Sequence, residues 1–219
     1  MQRIQDIRST FIQKLKNEEF VTDKTGVKTI EILGESYIAD EEVIFGSLNL
    51  DYAKKEVLWY ESQSLNVYDI PKVPKIWREV CDKNGFINSN YGWVIFSEEN
   101  SLQYQNCLRT LRRDKDSRRA MMIYTRPSMQ YEYNKNGMSD YICTNSVQIL
   151  IRDNRLHYII SQRSCDAIFG AKNDLFWARY IQKKLFNDLK DDYPELELGD
   201  VIHQVGSLHV YSRHFNLVI

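Results

Sequence analysis

Reactive side chains are concentrated in one short stretch of the chain, QRSCDAIFGAKND, from Gln162 to Asp174. An arginine followed by a serine suits a phosphate group, because guanidinium and hydroxyl groups both donate hydrogen bonds to phosphate oxygens. Two carboxylates, Asp166 and Asp174, lie eight positions apart in the same stretch. Carboxylates repel phosphate unless they face other parts of the ligand, and the residues alone leave that question open.

A thiol is a second candidate for chemistry. Cys143 in SDYICTNSVQ is a potential nucleophile, because a thiolate attacks electrophilic carbon once its pKa has been lowered. Arg118, Arg119, Arg126 and Arg163 could supply the positive field that favours the thiolate. A small buried thiol without a chemical role is the more common case, and the residues alone leave both interpretations open.

Three further features allow chemistry, and each also has a plainer interpretation. Glu56 in KKEVLWY is a candidate proton carrier or a solvated helix carboxylate. The run SRR at 117–119 favours a solvated charge cluster when it is taken alone. His209 and Tyr211 alternate along a predicted strand and therefore share one face, either as a binding pair or as a half-buried polar pair.

Hydrophobic periodicity predicts the helices and strands that would position these side chains. Prolines predict a loop at 67–77, and a tight turn at Asp153-Asn154 is expected to join two strands. The C-terminal stretch 200–219 reads as strand, turn and strand. The expected helices run from near the N-terminus to about Asn17 and over 51–62, 100–113 and 174–190, and the other expected strands over 27–34, 119–127, 146–153 and 155–164. This mixture predicts an α+β fold with an antiparallel or mixed sheet.

Composition restricts the classes of protein to which the chain can belong. Its 219 residues, 43% hydrophobic and 12% aromatic, predict a single domain over 1–219 with a sizeable core. A net charge of -1 gives no basic field for a nucleic-acid polymer. The sequence has neither an apolar signal core nor an apolar stretch of 18 residues, so it predicts no secretion signal and no membrane span. A cytoplasmic location is therefore expected. The four cysteines lack metal-binding spacing, which predicts no metal site. Because no secretion signal is predicted, the thiols are expected to be reduced.

Several motifs occur in the order found in the thymidylate synthase superfamily, and the resemblance covers nearly the whole chain. DKTG at 23–26 resembles that family's phosphate-loop turn, with Lys24 where the synthases carry arginine. EVLW at 56–59 resembles the family's ELLW helix. DSRR at 116–119 looks like its arginine pair, which crosses a dimer interface to the partner's phosphate.

Further motifs continue the resemblance. IWREVCDKNGFINSNYG is similar to a family segment that runs from a folate-contacting tryptophan, here Trp77, to an active-site tyrosine, here Tyr91. Cys143, with Gln148 five positions later, matches the family's nucleophile and its following glutamine, while Thr144 stands where the synthases carry histidine. QRSCD matches a family signature, and HVYSRH resembles the HxYxNH motif that holds the sugar.

The resemblance implies a thymidylate synthase-like fold, with a mixed sheet that is packed with helices and also mediates a homodimer. Arg118 and Arg119 would be contributed across that interface. The implied substrate contacts are Lys24, Arg118, Arg119, Gln162, Arg163, Ser164, Asp174, His209 and Tyr211, and the implied folate contacts are Trp77 and Asp166.

Asp174 is the most informative departure from the synthases, which carry asparagine at this position, facing the pyrimidine edge. An asparagine amide can donate to O4 of uracil and accept from its N3–H, whereas cytosine presents a 4-amino donor and an N3 acceptor. A carboxylate accepts from the 4-amino group and favours a protonated N3, so it suits cytosine. In having aspartate at this position, the chain resembles the phage deoxycytidylate hydroxymethylases of this superfamily.

That resemblance implies an enzyme that hydroxymethylates dCMP at C5 with 5,10-methylenetetrahydrofolate as co-substrate. Cys143 would add to C6, Tyr91 would help to remove the C5 proton, and Glu56 would order the water that becomes the hydroxyl. Because no hydride leaves the folate, the released cofactor would be tetrahydrofolate. Three alternatives are a methylating enzyme of the same fold, a CMP hydroxymethylase, and an inactive nucleotide- or folate-binding component of a phage replication complex.

Overall fold

Helices and strands are mixed along the chain, as expected for an α+β protein. The computed structural model describes residues 1–23 and 25–218. Its strands are β1 (Gln2–Arg3), β2 (Val21–Thr22), β3 (Lys28–Ile38), β4 (Met121–Ile123), β5 (Thr144–Arg152), β6 (Arg155–Asp166) and β7 (Glu197–Tyr211). Its α-helices are α1 (Ile4–Lys16), α2 (Leu50–Ser62), α3 (Lys75–Val80), α4 (Tyr91–Phe96), α5 (Gln103–Arg113), α6 (Met129–Glu132) and α7 (Gly170–Leu189).

The chain forms two compact units. The first comprises Met1–Leu48 and the chain from Ile149 onward, and the second comprises Asn49–Gln148. In the first unit the strands follow the order β1-β3-β7-β6-β5, with β2 paired to β3. β3 and β7 are antiparallel, whereas β6 and β7 are parallel, so the predicted mixed sheet is confirmed.

The hairpin between β5 and β6 has the predicted turn. Asp153 and Asn154 both adopt positive φ angles, 49° and 58°. Aspartate and asparagine tolerate this left-handed backbone better than most side chains. The turn places β6 beside β5, and β6, with the QRSCD motif at its end, pairs along its other edge with β7.

Two amphipathic helices build much of the first unit's core. α1 buries Ile4, Ile7 and Phe11 and ends at Lys16, close to the predicted Asn17. α7 buries the predicted stripe of Leu175, Ala178, Ile181, Leu185 and Leu189. α7 begins at Gly170, four residues before the predicted start, so Asp174 lies one turn inside the helix.

The second unit is built around α2 and α4. Ala53, Val57 and Tyr60 of α2 are buried, as the helical pattern predicts. A Cβ atom at Gly92 would lie 1.8 Å from the carbonyl oxygen of Tyr60, so only glycine permits this close approach of the two helices. β4 pairs with the first part of β5, where Met121 lies opposite Gln148.

Two sequence predictions about secondary structure are wrong in part. The stretch 67–77, expected as a loop or turn, contains a 3-10 turn at Val67–Asp69, but its end is helical because α3 begins at Lys75. Pro74 immediately precedes that helix, where its missing N–H costs no intrahelical hydrogen bond. The C-terminal stretch forms one continuous strand as far as Tyr211, and 3-10 structure follows it.

The turn expected within 200–219 therefore does not interrupt β7, which continues to Tyr211. Gly206 lies within β7, where a Cβ atom would be 2.8 Å from the carbonyl oxygen of Arg163 on β6. Glycine is required here by the close approach of another strand, which a single sequence does not distinguish from a turn.

Candidate active site

The second unit buries the candidate proton carrier. Tyr52, Glu56 and Tyr60 lie four residues apart in sequence and thus on one stripe of α2. Glu56 is only 6% exposed, so it is not the solvated helix carboxylate that its sequence context would also allow. The hydroxyl of Tyr52 donates to Oε1 of Glu56, and Nε1 of Trp77 lies 3.3 Å from the same oxygen. The carboxylate is therefore fixed in direction by two donors.

Trp77 is held beside Glu56 by its polar edge. Its Nε1 atom lies 3.0 Å from the Tyr52 hydroxyl oxygen, and its ring meets that of Trp59 edge-on with centroids 5.4 Å apart. Trp77 is half-buried, whereas Trp59 is 2% exposed. An indole that is fixed at one edge and partly exposed can stack on a flat aromatic ligand.

Tyr91 stands at the start of α4 and joins this aromatic group. Its ring stacks on Tyr60, with centroids 5.2 Å apart and planes 19° from parallel. The hydroxyl of Thr144 donates to the Tyr91 hydroxyl oxygen at 3.1 Å. Thr144 directly follows the candidate nucleophile, Cys143, and stands where the synthases carry histidine. It is thus hydrogen-bonded to the candidate tyrosine, Tyr91.

Asn90 fixes the start of α4 and was not identified from the sequence. Its side-chain oxygen accepts from the Trp93 amide at 2.7 Å, which caps the helix. Its amide nitrogen donates to the carbonyl oxygens of Trp59 and Ser64 at 3.0 Å and 2.8 Å. Asparagine directly before a helix in INSNYG is the signal that could have revealed it.

Cys143 lies in a bend directly before β5 and is half-buried. The other three cysteines are buried, and burial raises the pKa of the Cys107 thiol to about 12. Among the four, Cys143 alone combines partial exposure with a neighbour, Thr144, that is hydrogen-bonded to Tyr91.

The candidate arginines of the second unit differ in environment. Arg126 is half-buried, and its Nη2 atom lies 2.6 Å from a carboxylate oxygen of Glu132. Arg118 and Arg119 are exposed and line a surface depression. The Arg118 carbonyl oxygen accepts from Nε2 of Gln148 at 2.9 Å, so the glutamine after the nucleophile anchors this segment's backbone.

In the first unit, the motifs QRSCD and HVY end two adjacent parallel strands. Ser164 pairs with Ser207, and Asp166 pairs with His209. Because side chains alternate along a strand, Gln162, Ser164 and Asp166 share one face and Arg163, which is exposed, leaves the other. Arg163 and Ser164 are therefore not placed on a common face.

His209 and Tyr211 share one face, as predicted, and their rings meet edge-on with centroids 5.0 Å apart. The DKTG turn is built by Asp23, whose Oδ1 accepts from the hydroxyl and amide of Thr25 at 2.7 Å and 2.8 Å. The Thr25 hydroxyl bond is the main reason that the pKa of Asp23 is lowered, and the charge of nearby His209 adds to the effect. Lys24 lies outside the described residues.

The two carboxylates at the start of α7 have different partners. Oδ1 of Asp166 accepts from the backbone amides of Ile168 and Phe169 at 2.8 Å and 3.3 Å, which shapes the turn into the helix. Oδ2 of Asp174 accepts from Nε2 of Gln162 at 2.9 Å. The predicted substrate residues Gln162 and Asp174 are thus in direct contact.

Two residues behind this contact were missed in the sequence. Oε1 of Gln162 lies 2.6 Å from Nε2 of His203, and the Tyr37 hydroxyl lies 2.8 Å from Nδ1 of His203. His203 is fully buried, and burial lowers its pKa from 6.5 to about 3. His203 has the same alternation as His209 and Tyr211, but the turn expected within 200–219 concealed that continuity.

Within residues 1–23 and 25–218, no group of three or more His, Cys, Asp or Glu side chains is arranged to hold a metal ion. Over the same residues, no helix has both the length and the apolar composition needed to cross a lipid bilayer.

Comparison with known proteins identifies relatives over almost the full chain. A sequence model of the family described as thymidylate synthase matches residues 9–219. Proteins named deoxycytidylate 5-hydroxymethyltransferase from Enterobacteria phages T4 and T2 are each 54% identical to the chain over 218 residues, covering 98% of it and 89% of the relative. A thymidylate synthase from Francisella philomiragia is 27% identical, with 90% of this chain and 76% of that protein covered.

A solved structure agrees with the fold. Thermostable thymidylate synthase A from Bacillus subtilis superposes with a TM-score of 0.73 at 21% identity, over 99% of this chain and 82% of that one. The fold expected from the order of the motifs is therefore confirmed. Family match, sequence identity and fold agree: the chain belongs to the thymidylate synthase family.

Proposed function

We propose that this protein transfers a one-carbon unit from 5,10-methylenetetrahydrofolate to C5 of dCMP and hydrates it. The products are 5-hydroxymethyl-dCMP and tetrahydrofolate. The observation that carries the proposal is the carboxylate of Asp174, held by the Gln162 amide where the synthases carry asparagine. The 54% identity to phage relatives named deoxycytidylate 5-hydroxymethyltransferase supports it. The proposal treats residues 1–219 as one catalytic domain.

Asp174 is proposed to select the base. The Gln162 amide nitrogen donates to Oδ2 of Asp174, so the carboxylate is held as an acceptor. Cytosine offers its 4-amino group to such an acceptor, whereas O4 of uracil would meet it lone pair to lone pair. A polar mismatch of this kind discriminates strongly between substrates, because a desolvated group is left without its hydrogen bond.

Cys143 is proposed as the nucleophile. Its sulfur adds to C6 of the pyrimidine, and the electron pair of the C5–C6 double bond makes C5 a carbon nucleophile. When bound, the folate supplies the one-carbon unit that C5 accepts. Tyr91, or water beside it, takes the C5 proton, and loss of Cys143 from C6 restores the aromatic ring at the end of the reaction.

Glu56 is proposed to order the water whose oxygen becomes the new hydroxyl group. Its carboxylate is buried and held by Tyr52 and Trp77, so its direction is fixed before substrate binds. A buried carboxylate that is aligned in this way can accept a proton from water as the oxygen bonds to carbon. This step separates hydroxymethylation from methylation, in which a hydride would be added instead.

Trp77 and Asp166 are proposed to hold the folate, and their settings fit such a ligand. The half-buried indole of Trp77 offers a face for stacking. Asp166 uses Oδ1 for the turn into α7, and we assign Oδ2 to the pterin ring. The carboxylate suits the N–H donors of a pterin.

We propose that Lys24 and Ser164 contact the phosphate, with His209 and Tyr211 on the sugar. Arg163 leaves the opposite face of β6 from Ser164, so it is assigned no contact in this site. Arg118 and Arg119 would complete this site in the partner subunit of a homodimer. Their exposure, on a segment whose backbone is anchored by Gln148, is compatible with that role.

One assay tests the proposed function. The protein is incubated with methylene-labelled 5,10-methylenetetrahydrofolate and, separately, with dCMP, dUMP and CMP, and both products are identified by mass. We expect 5-hydroxymethyl-dCMP together with tetrahydrofolate, and little product from dUMP. A methylated nucleotide together with dihydrofolate would assign a methylating enzyme, and a hydroxymethylated CMP a ribonucleotide enzyme. If no nucleotide gives a product, the protein would be assigned as an inactive nucleotide- or folate-binding protein.

A further inference from the structure

A buried series of hydrogen bonds crosses the sheet of the first unit and ends on Asp174. It begins at Tyr37 on β3, passes through His203 on β7 and Gln162 on β6, and reaches Asp174 on α7; we name it the Tyr37 chain. Successive heavy atoms are 2.8 Å, 2.6 Å and 2.9 Å apart. Tyr37 and His203 are 0% exposed, and Gln162 is 2% exposed. Three buried side chains from three strands are thus linked to the half-buried carboxylate of Asp174 on α7.

The direction of each hydrogen bond follows from the chemistry of its groups. Gln162 donates its amide nitrogen to the carboxylate, so its other polar atom, Oε1, must accept from His203. The pKa of His203 is lowered to about 3 by burial, so the ring is neutral and carries one N–H. That hydrogen lies on Nε2, and Nδ1 therefore accepts from the Tyr37 hydroxyl.

We propose that the Tyr37 chain sets the direction of the Asp174 carboxylate, and that Tyr37 and His203 are positioning residues for the choice of base. Tyr37 holds His203 in the Nε2–H form, His203 holds the Gln162 amide with its nitrogen toward α7, and that nitrogen holds Asp174. This inference deepens the proposed function and rests on it, because base selection by Asp174 is part of that proposal.

Loss of the Tyr37 hydroxyl weakens this support. Nδ1 of His203 then loses its hydrogen bond to Tyr37, and the ring keeps the bond from Nε2–H to Oε1 of Gln162. The imidazole can then tilt, so the Gln162 amide is held less firmly with its nitrogen toward the Asp174 carboxylate. Asp174 would therefore lose part of its fixed direction.

A double-mutant cycle between Tyr37→Phe and Asp174→Asn tests the Tyr37 chain through kcat and KM for both dCMP and dUMP. Tyr37→Phe alone should lower kcat/KM for dCMP about tenfold, the effect expected for one buried hydrogen bond. In the Asp174→Asn background the same change should matter less than about twofold, because an asparagine amide can pair with either orientation of Gln162.

The matched control is Tyr158→Phe. Tyr158 lies on β6, is 1% exposed, and is outside the Tyr37 chain. Removing its hydroxyl should have the same effect in both backgrounds, as expected for a purely structural change. An equal loss from Tyr37→Phe in both backgrounds would overturn the proposed positioning role.

A second readout does not depend on turnover. Nitrogen-15 NMR of labelled histidine, with the His203 signals assigned from a His203→Gln variant, should show hydrogen on Nε2 in the wild type. Hydrogen on Nδ1 would overturn the Tyr37 chain even if the enzyme acts on dCMP as proposed. A wild type that shows the Nε2 hydrogen but is inactive on dCMP would instead remove the proposed function and, with it, this role in base selection. The two failures are therefore distinguishable.

Discussion

Cys143 and Asp174 are the two residues on which the proposed chemistry depends, one for bond formation and one for the choice of base. Cys143 is half-buried beside Thr144, which connects it to Tyr91. Asp174 is held by Gln162. Each can be removed with little change in volume, so each can be tested without disturbing the core.

Cys143→Ala should abolish turnover while leaving folding and dCMP binding intact, because only the covalent step is lost. We expect kcat to fall by at least about a thousandfold. The measurement is steady-state product formation, with dCMP binding followed by calorimetry. Cys107→Ala is the matched control, since burial raises the pKa of that thiol to about 12 and no reaction step is assigned to it. Near-normal turnover by Cys143→Ala would contradict the mechanism.

Asp174→Asn should shift preference from dCMP toward dUMP, because the amide can donate to O4 and accept from N3–H of uracil. The loss on dCMP should appear mainly in kcat, since support of protonated N3 matters most as charge builds on the ring. An uncompensated polar contact is worth roughly 1–3 kcal/mol, or about one to two decades. The dCMP to dUMP ratio of kcat/KM measures the effect, and an unchanged ratio would show that Asp174 does not read the base.

At the residue scale, the sequence predicts which side chains are candidates for the active site, but it does not predict their burial or their hydrogen-bond partners. Cys143, Glu56 and Asp174 are identified by their places in an ordered set of motifs. The burial of Glu56 beneath Tyr52 and Trp77 depends on where α3 packs against α2, and no local pattern encodes that. Tyr37 and Gln162 lie 125 positions apart in sequence, and only the sheet brings them into one hydrogen-bonded series.

Among the elements, β7 is the one whose structure the sequence describes least well. A turn is expected within 200–219, yet the strand continues to Tyr211, and Gly206 lies against the backbone of Arg163. The helices are predicted better, because a repeat of apolar residues over many positions is a stronger signal than one glycine. α7 and its buried stripe are the clearest example. In contrast, α3 begins directly after Pro74, and a proline in the sequence more often indicates a loop than the start of a helix.

The burial of His203 within β7 should make the stability of the sheet depend on pH. The pKa of His203 is about 3 in the folded protein and 6.5 at its ordinary value, so the folded state resists protonation. Its contribution is complete above about pH 6.5 and is lost as the pH falls, because the unfolded chain then binds the proton. The loss should approach about 1.4 kcal/mol per pH unit.

Urea unfolding of the wild type and of His203→Gln checks this dependence between neutral pH and about pH 5. The free energy of unfolding of the wild type should fall more steeply, because groups other than His203 titrate alike in both proteins. Parallel pH dependences would show that the histidine is protonated as readily in the folded chain as in the unfolded one.

For the whole molecule, we expect the active species to be a symmetric homodimer in which Arg118 and Arg119 serve the partner's phosphate site. Arg119→Ala and Cys143→Ala should each be inactive alone. Mixing them should restore part of the activity, because one site of the hybrid dimer then receives both an intact thiol and an intact arginine.

Activity of the mixture is measured after subunit exchange has been verified with differently tagged chains. A mixture of two Cys143→Ala preparations that carry the same tags is the control and should stay inactive. If verified hybrids show no recovery, the arginines act in their own subunit's site or outside the site.

The contact between Gln162 and Asp174 has an evolutionary consequence. The Gln162 amide nitrogen donates to one side-chain oxygen at position 174, and asparagine carries an oxygen at the same place. Codons for aspartate and asparagine differ by a single transition, so one point mutation could exchange the residue while its support stays in register. If Asp174 selects the base as proposed, this single substitution would change the base preference in either direction while the hydrogen bond from Gln162 is kept.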